Sequence, residues 1–181
     1  MKKLLERLKS YSQIDAEILQ YLMEVAEYET YKKNQLLLRE RQICKHIRFI
    51  ESGMIRIFRS GETKETTTWI QREGAFFTAA DSVFSQTPSV ENIETLENCV
   101  CWSLTHQHLE EGYRRCSKFG DLVEAIKTDY YRILTERTAL LNSMSPRERI
   151  EWLKKTDPEL IQRAPKKYLY TYLNISHTFS I

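Results

Sequence analysis

Residues 119–142 read FGDLVEAIKTDYYRILTERTALLN, and the reading of this stretch decides the fold. Its apolar side chains fall at Phe119, Leu122, Val123, Ile126, Tyr130, Ile133, Leu134, Leu140 and Leu141. That is the i, i+3, i+4, i+7 spacing of one helix face. After Gly120 neither Gly nor Pro interrupts it. At the rise of an α-helix it would be about 35 Å long, more than a small domain needs. A helix of that length with a/d-like apolar positions reaches past its own domain and pairs with something. It therefore reads as a spine joining two modules. Its stripe of Leu122, Ile126, Tyr130, Ile133, Leu140 and Leu141 is more than one subunit covers, which predicts a parallel homodimer.

Upstream of the spine the chain is mostly short β signals. MKKLLERLKSY at the start is an amphipathic helix, and a second helix opens at Ser12-Gln-Ile-Asp15, with Ser12 as N-cap. Strands follow at Tyr28–Tyr31, Leu36–Leu38, His46–Glu51, Met54–Arg59, Glu65–Gln71, Ala75–Thr78, Ile93–Leu96 and Val100–Leu104. Ser52-Gly53 lies between two alternating runs and reads as a tight hairpin. Turn signals recur every 8–12 residues or so, the spacing of a β-sandwich or barrel. A short helix begins at Thr105 and leads into the spine.

Downstream, Ser145-Pro146-Arg147-Glu148 has Ser at N-cap, Pro at N1 and Glu at N3 of a helix. Pro158 and Pro165 bound a short segment, and Lys166–Leu173 is a further helix. Asn174 suits a left-handed helix end, and Ser176 would cap a last helix over Ser176–Ile181. Helix, short turn and helix is the helix-turn-helix pattern.

Composition narrows the function. The 181 residues carry a net charge of +2 and 41% hydrophobic residues, an ordinary soluble balance. From Ser143 onward seven Lys and Arg face four Asp and Glu, a net of +3 on a near-neutral body. A small basic module hints at an anionic partner such as DNA. Cys44, Cys99, Cys101 and Cys116 show neither C-x-x-C nor zinc spacing, so they read as reduced, buried thiols of a cytoplasmic protein. Neither a membrane span nor a signal peptide is expected, since MKKLLERLKSY lacks an apolar h-region. His106-x-His108 with Glu110 could suggest a metal site on a cupin-like barrel, but it lies at a helix start, where polar surface is the better reading. No Ser/His/Asp or Cys/His arrangement has a supporting motif, so an enzyme is not expected.

Several stretches point one way together. They are Phe49-Ile-Glu-Ser-Gly53-Met-Ile-Arg56, the Gly74 turn, Pro88, Ile93-x-x-Leu96-Glu97, the spine, Ser145-Pro-Arg-Glu-Arg149 and Tyr172-Leu-Asn-Ile-Ser176. In this order they resemble the Crp/Fnr family of bacterial transcription regulators. Tyr28-x-x-Tyr31-Lys-Lys, Thr68-Trp-Ile70 and Pro158-Glu-Leu160 resemble most the regulators common in Bacteroidetes. The resemblance implies an α+β fold in three parts. Residues 1–118 would be a double-stranded β-helix, the effector-binding roll with its N-terminal helices. Residues 119–142 would be the dimerisation helix, and 143–181 a winged helix-turn-helix module that is incomplete after Ile181.

Two departures shape the functional expectation. Cyclic-nucleotide-binding members carry Gly-Glu, then Arg-Ser after a Pro; here stand Gly74-Ala75 and Pro88-Ser89-Val90-Glu91. A cyclic phosphate needs a cation or an array of N–H donors there, and Glu91 would repel it. Cyclic AMP is therefore not expected to bind. Any effector would be smaller or less anionic than a nucleotide. It would sit among Gly74, Ala75, Phe76, Ser82, Ser89, Val90 and Glu91, against the N-terminal half of the spine. No cofactor or metal is expected. At the C-terminus Thr178-Phe-Ser-Ile181 replaces the family's Thr-Leu-Ser-Arg, so no Arg reaches a base edge. DNA contacts would come from Lys166, Lys167, Ser176, His177, Thr178 and Ser180. The alternatives are a sensing or scaffold dimer without DNA binding and a cupin-like metalloenzyme.

Overall fold

In the computed structural model, which describes residues 1–11 and 14–181, eight strands form two four-stranded antiparallel sheets. The first has the order β1 (Glu27–Tyr31), β8 (Cys99–Thr105), β3 (His46–Ser52), β6 (Phe76–Phe77). The second has the order β2 (Leu36–Leu38), β7 (Asn92–Thr95), β4 (Met54–Ser60), β5 (Glu65–Arg72). The helices are α1 (Lys2–Lys9), α2 (Ala16–Val25), α3 (Ala80–Ser85), α4 (His106–Arg115), α5 (Phe119–Ser143), α6 (Pro146–Thr156), α7 (Pro158–Arg163) and α8 (Lys166–Tyr172).

Strand alternation sorts the roll's side chains. Ile50, Ile55, Ile57, Phe77, Ile93 and Cys101 pack together in its interior. Along β8, Cys99 and Cys101 turn into that core, while Trp102 and Leu104 turn out to the helices. The hairpin expected at Ser52-Gly53 does not form. β3 pairs with β6 and β8, whereas β4 pairs with β5 and β7, so the chain crosses between sheets at this point. Gly53 makes the crossing at φ +98°, and a Cβ there would collide with the Asn98 carbonyl oxygen and the Cys99 sulphur. Alternation reports which face is buried; it is silent on which strand is the neighbour.

On the outer face of the first sheet, Leu4 and Leu8 of α1, Ile18 and Leu22 of α2, and Phe119 and Leu122 of α5 form a second core with Phe49. α2 is capped by Asp15, whose Oδ1 accepts from the Ile18 N–H at 3.0 Å; the expected cap, Ser12, lies outside the described residues. Gly112 lets α4 approach α5, since a Cβ there would come within 2.6 Å of the Phe119 ring. α3 has no counterpart in the sequence reading, because six residues are too short to show helical periodicity.

The C-terminal helices dock on the second sheet. Ile150, Leu153, Leu160, Leu169 and Leu173 form a third core with Met54, Ile70 and Leu96 of the roll. α8 covers the edge strand β5, whose Thr67 N–H donates to Thr171 Oγ1 at 3.2 Å. The capping box of Ser145 and Glu148 starts α6 as its sequence reads. Asn174 adopts φ +50°, as expected of a helix end. The last helix expected from Ser176 does not form. Ser176–Phe179 make one turn, with the Phe179 N–H on the Ser176 carbonyl at 3.1 Å. Phe179 and Ile181 pack on the third core instead. Among the described residues no helix is long and apolar enough to cross a membrane.

Candidate effector site and basic C-terminal surface

The turn that would hold an effector phosphate is built from Gly74 and the segment 88–92. Gly74 has φ +87° with open space around it, and its N–H donates to the Ile50 carbonyl at 2.9 Å. Glycine is required there by the backbone angle alone. Ser89 is buried, and its hydroxyl accepts from the Glu91 N–H at 3.0 Å while donating to the Glu91 carbonyl at 2.9 Å. Glu91 then points its carboxylate at β5 and β4. It accepts from Thr68 Oγ1 at 3.2 Å and pairs with Arg59 Nε at 3.5 Å. Glu91 thus has Arg59 and Thr68 as its polar neighbours, Thr68 Oγ1 also lying 3.1 Å from the Ile57 carbonyl.

Of the seven residues expected to share one site, Ser89 and Glu91 are bonded to each other, while others are engaged elsewhere. Phe76 turns to the helix side and packs on Phe49 at 5.1 Å. Ser82 is buried, accepting from the Cys44 N–H at 2.8 Å and donating to the Thr87 carbonyl at 2.5 Å. Ala75 packs against the roll's inner core, and Val90 is 58% exposed. Of the seven only Phe76 lies in a strand; Ser82 is in α3 and the others are in connecting segments.

The spine stripe also divides. Leu122 and Leu140 are buried within the protomer, and Ile126 packs on the helix-side core. Tyr130 stacks on Trp69 at 6.2 Å. Leu122, Ile126 and Tyr130 thus have neighbours within the protomer, though Tyr130 keeps 37% of its surface exposed and Ile133 is half-buried. The outward face carries Tyr131 and Leu134, 66% and 37% exposed, with Leu141 half-buried below them. Periodicity finds an apolar stripe but does not say whether the roll or a partner covers it.

Sequence reading missed the arginines that join the parts. Arg137 lies between the rings of Trp69, at 5.3 Å, and Tyr172, at 4.0 Å, and donates to the Tyr172 carbonyl at 2.6 Å. Burial pulls its pKa below the ordinary value. Arg56 is sandwiched between Phe58 and Tyr168 at 3.8 and 3.7 Å, and pairs with Glu94 and Glu65. Arg149 donates to the carbonyls of Leu141, Met144, Leu173 and Asn174, fixing the end of α5 to the end of α8. Arg163 binds Glu73 and Glu97 of the roll and Glu159 of its own helix. Their signal in the sequence is charge alone, which does not separate an internal bolt from a surface cation.

His106 and His108 hold no metal geometry: His108 is the N3 residue of the Thr105 capping box. Among the described residues no group of three or more His, Cys, Asp or Glu could hold a metal ion. At the C-terminal end Ser176, His177, Thr178 and Ser180 are exposed, as are Lys166 and Lys167. Lys166 Nζ donates to the Ile181 carbonyl at 3.1 Å, and Lys167 lies 4.5 Å over the Tyr168 ring. Thr178 and Ser180 line a groove with Arg147, a cation the sequence reading did not single out.

Residues 28–116 match the family model described as the cyclic nucleotide-binding domain. No curated protein matches the chain. Among solved structures it is similar to FixK2 from Bradyrhizobium japonicum, at 15% identity over 84% of this chain and 79% of that one, with a TM-score of 0.72. It is similar to the c-di-GMP-responsive global regulator CLP of Xanthomonas campestris, at 14% identity over 90% and 86%, with a TM-score of 0.66. The Thermus thermophilus catabolite activator protein gives 15% identity over 94% and 81%, with a TM-score of 0.61. By sequence, residues 28–116 are similar to the cyclic nucleotide-binding domain, and in fold the chain is similar to these solved structures.

Proposed function

We propose that this protein is a cytoplasmic transcription regulator of Crp/Fnr type, of the kind common in Bacteroidetes, and not an enzyme. It divides into a sensor roll (1–118), a dimerisation helix (119–142) and a DNA-binding module (143–181). The roll does not take cyclic AMP. The observation that carries this last point is Glu91, whose carboxylate is hydrogen-bonded to Thr68 and paired with Arg59 where a phosphate would need free donors. The order of roll, spine and basic helical module supports the regulator reading. The outward residues Tyr131 and Leu134 support a homodimer along α5.

In this reading Lys166, Lys167 and Arg147 approach phosphates, and Ser176, His177, Thr178 and Ser180 lie at the bases. Serine and threonine bond to several bases, so discrimination is weak. A scaffold or sensing dimer without DNA binding is the second reading, favoured by Ser176, His177, Thr178 and Ser180 offering no Arg to a base edge. Fluorescence anisotropy on random duplex DNA at low and moderate salt tests the first. Weak binding is expected, with a salt slope that shrinks in Lys166→Ala plus Lys167→Ala. Tight binding that survives the double substitution would place the contact surface elsewhere.

A further inference from the structure

Outside the roll, between its first sheet and the helices on it, lies a cavity of about 70 Å³. Its walls are almost wholly apolar, built by Leu8, Leu22, Phe49, Trp102, Leu104 and Leu122. Such walls give a water molecule no partners, so the space stays dry and suits an apolar guest. It is about half the size of an engineered cavity that accepts benzene, leaving room for about three or four carbon atoms.

One end of the lining differs from the rest. Phe84 of α3 is 40% exposed, and Lys127 of α5 sets its ammonium 4.9 Å from the Phe84 ring. The acidic partner of Lys127 is Glu124, at 2.7 Å and one turn back, with a side chain 67% exposed. An ion pair so open to water is weak and easily exchanged. The site therefore offers a short dry slot with a replaceable cation at its rim. We infer that it binds a short straight-chain carboxylate, with the hydrocarbon in the cavity and the carboxylate on Lys127 Nζ in place of Glu124. Because Leu122, Ile126 and Lys127 belong to α5, occupancy acts directly on the spine. The site stands whether or not the chain reads DNA.

The test is calorimetry of the full chain with pentanoate, acetate and pentan-1-ol. Pentanoate should bind saturably and at least tenfold more tightly than acetate. Lys127→Met should weaken pentanoate about tenfold and leave pentan-1-ol unchanged, the ratio expected for loss of one charge-assisted bond. Leu122→Phe should abolish binding of both, and Ile126→Phe, at a half-buried position, serves the same purpose if Leu122→Phe does not fold. Acetate binding as well as pentanoate, pentanoate binding unchanged in both cavity-filling variants, or no saturable binding of any probe would each overturn the assignment.

Discussion

Arg163→Ala removes the side chain that fastens α7 to the roll. Arg163 Nη2 donates to Glu73 at 2.9 Å and to Glu97 at 2.5 Å, while Nη1 reaches Glu73 at 3.0 Å and Glu159 at 2.6 Å. Arg163, Glu73 and Glu97 are 24%, 21% and 29% exposed. The network thus lies between exposed pairs, worth about 0.2–1 kcal/mol, and buried pairs, whose breaking costs about 3–5 kcal/mol. A loss of about 2 kcal/mol at neutral pH follows from that position. Burial alone would raise the pKa of Glu73, but hydrogen bonds from Arg163, the Gly53 N–H and its own N–H hold it at about 2, against an ordinary 4.5. A carboxylate with a depressed folded pKa stabilises fully above its unfolded pKa and loses that contribution as pH falls through the folded value. The contribution of Glu73 is therefore complete above about pH 4.5 and fades toward about pH 2. Without Arg163 most of it is already gone, so the gap between wild type and variant should narrow as pH falls through this window. Urea unfolding followed by the fluorescence of Trp152, which packs on the third core, measures both. A gap below about 0.5 kcal/mol at neutral pH, the level of an ordinary surface change, or one that stays constant into acid, would refute the reasoning.

Gly53→Ala should cost at least about 2 kcal/mol, because strain at φ +98° adds to a collision with Asn98 and Cys99. Gly74→Ala, strained but unobstructed, should cost clearly less, and equal losses on thermal melting would contradict the crossing described at Gly53. Light scattering at micromolar concentration should give a dimer. Tyr131→Glu with Leu134→Glu should give a folded monomer, and a monomeric wild type would remove α5 as an interface.

Much of this architecture is legible in the residues. Strand positions, the α5 span, the Ser145 capping box and the left-handed Asn174 each follow from a local rule, which needs no knowledge of the neighbours. What is not legible depends on neighbours. The Ser52-Gly53 turn looks the same whether the flanking strands pair or part between sheets. The α5 stripe is apolar whether the roll or a second chain covers it. For the candidate site, the sequence places a carboxylate at Glu91 but says nothing of Thr68 and Arg59, which come from other strands. The basic character of 143–181 is visible, yet Arg149 and Arg163 are internal bolts, because their partners lie at carbonyls and acids far along the chain. Phe84 and Lys127, 43 positions apart in numbering, meet only through the packing of α3 on α5.

Calorimetric titration of the full chain with cyclic AMP tests the central claim, that this roll keeps the fold of a cyclic nucleotide-binding domain while Glu91 holds the phosphate position. No saturable heat should appear up to millimolar nucleotide, because Arg59 and Thr68 are engaged by Glu91. A dissociation constant in the low micromolar range would contradict the account.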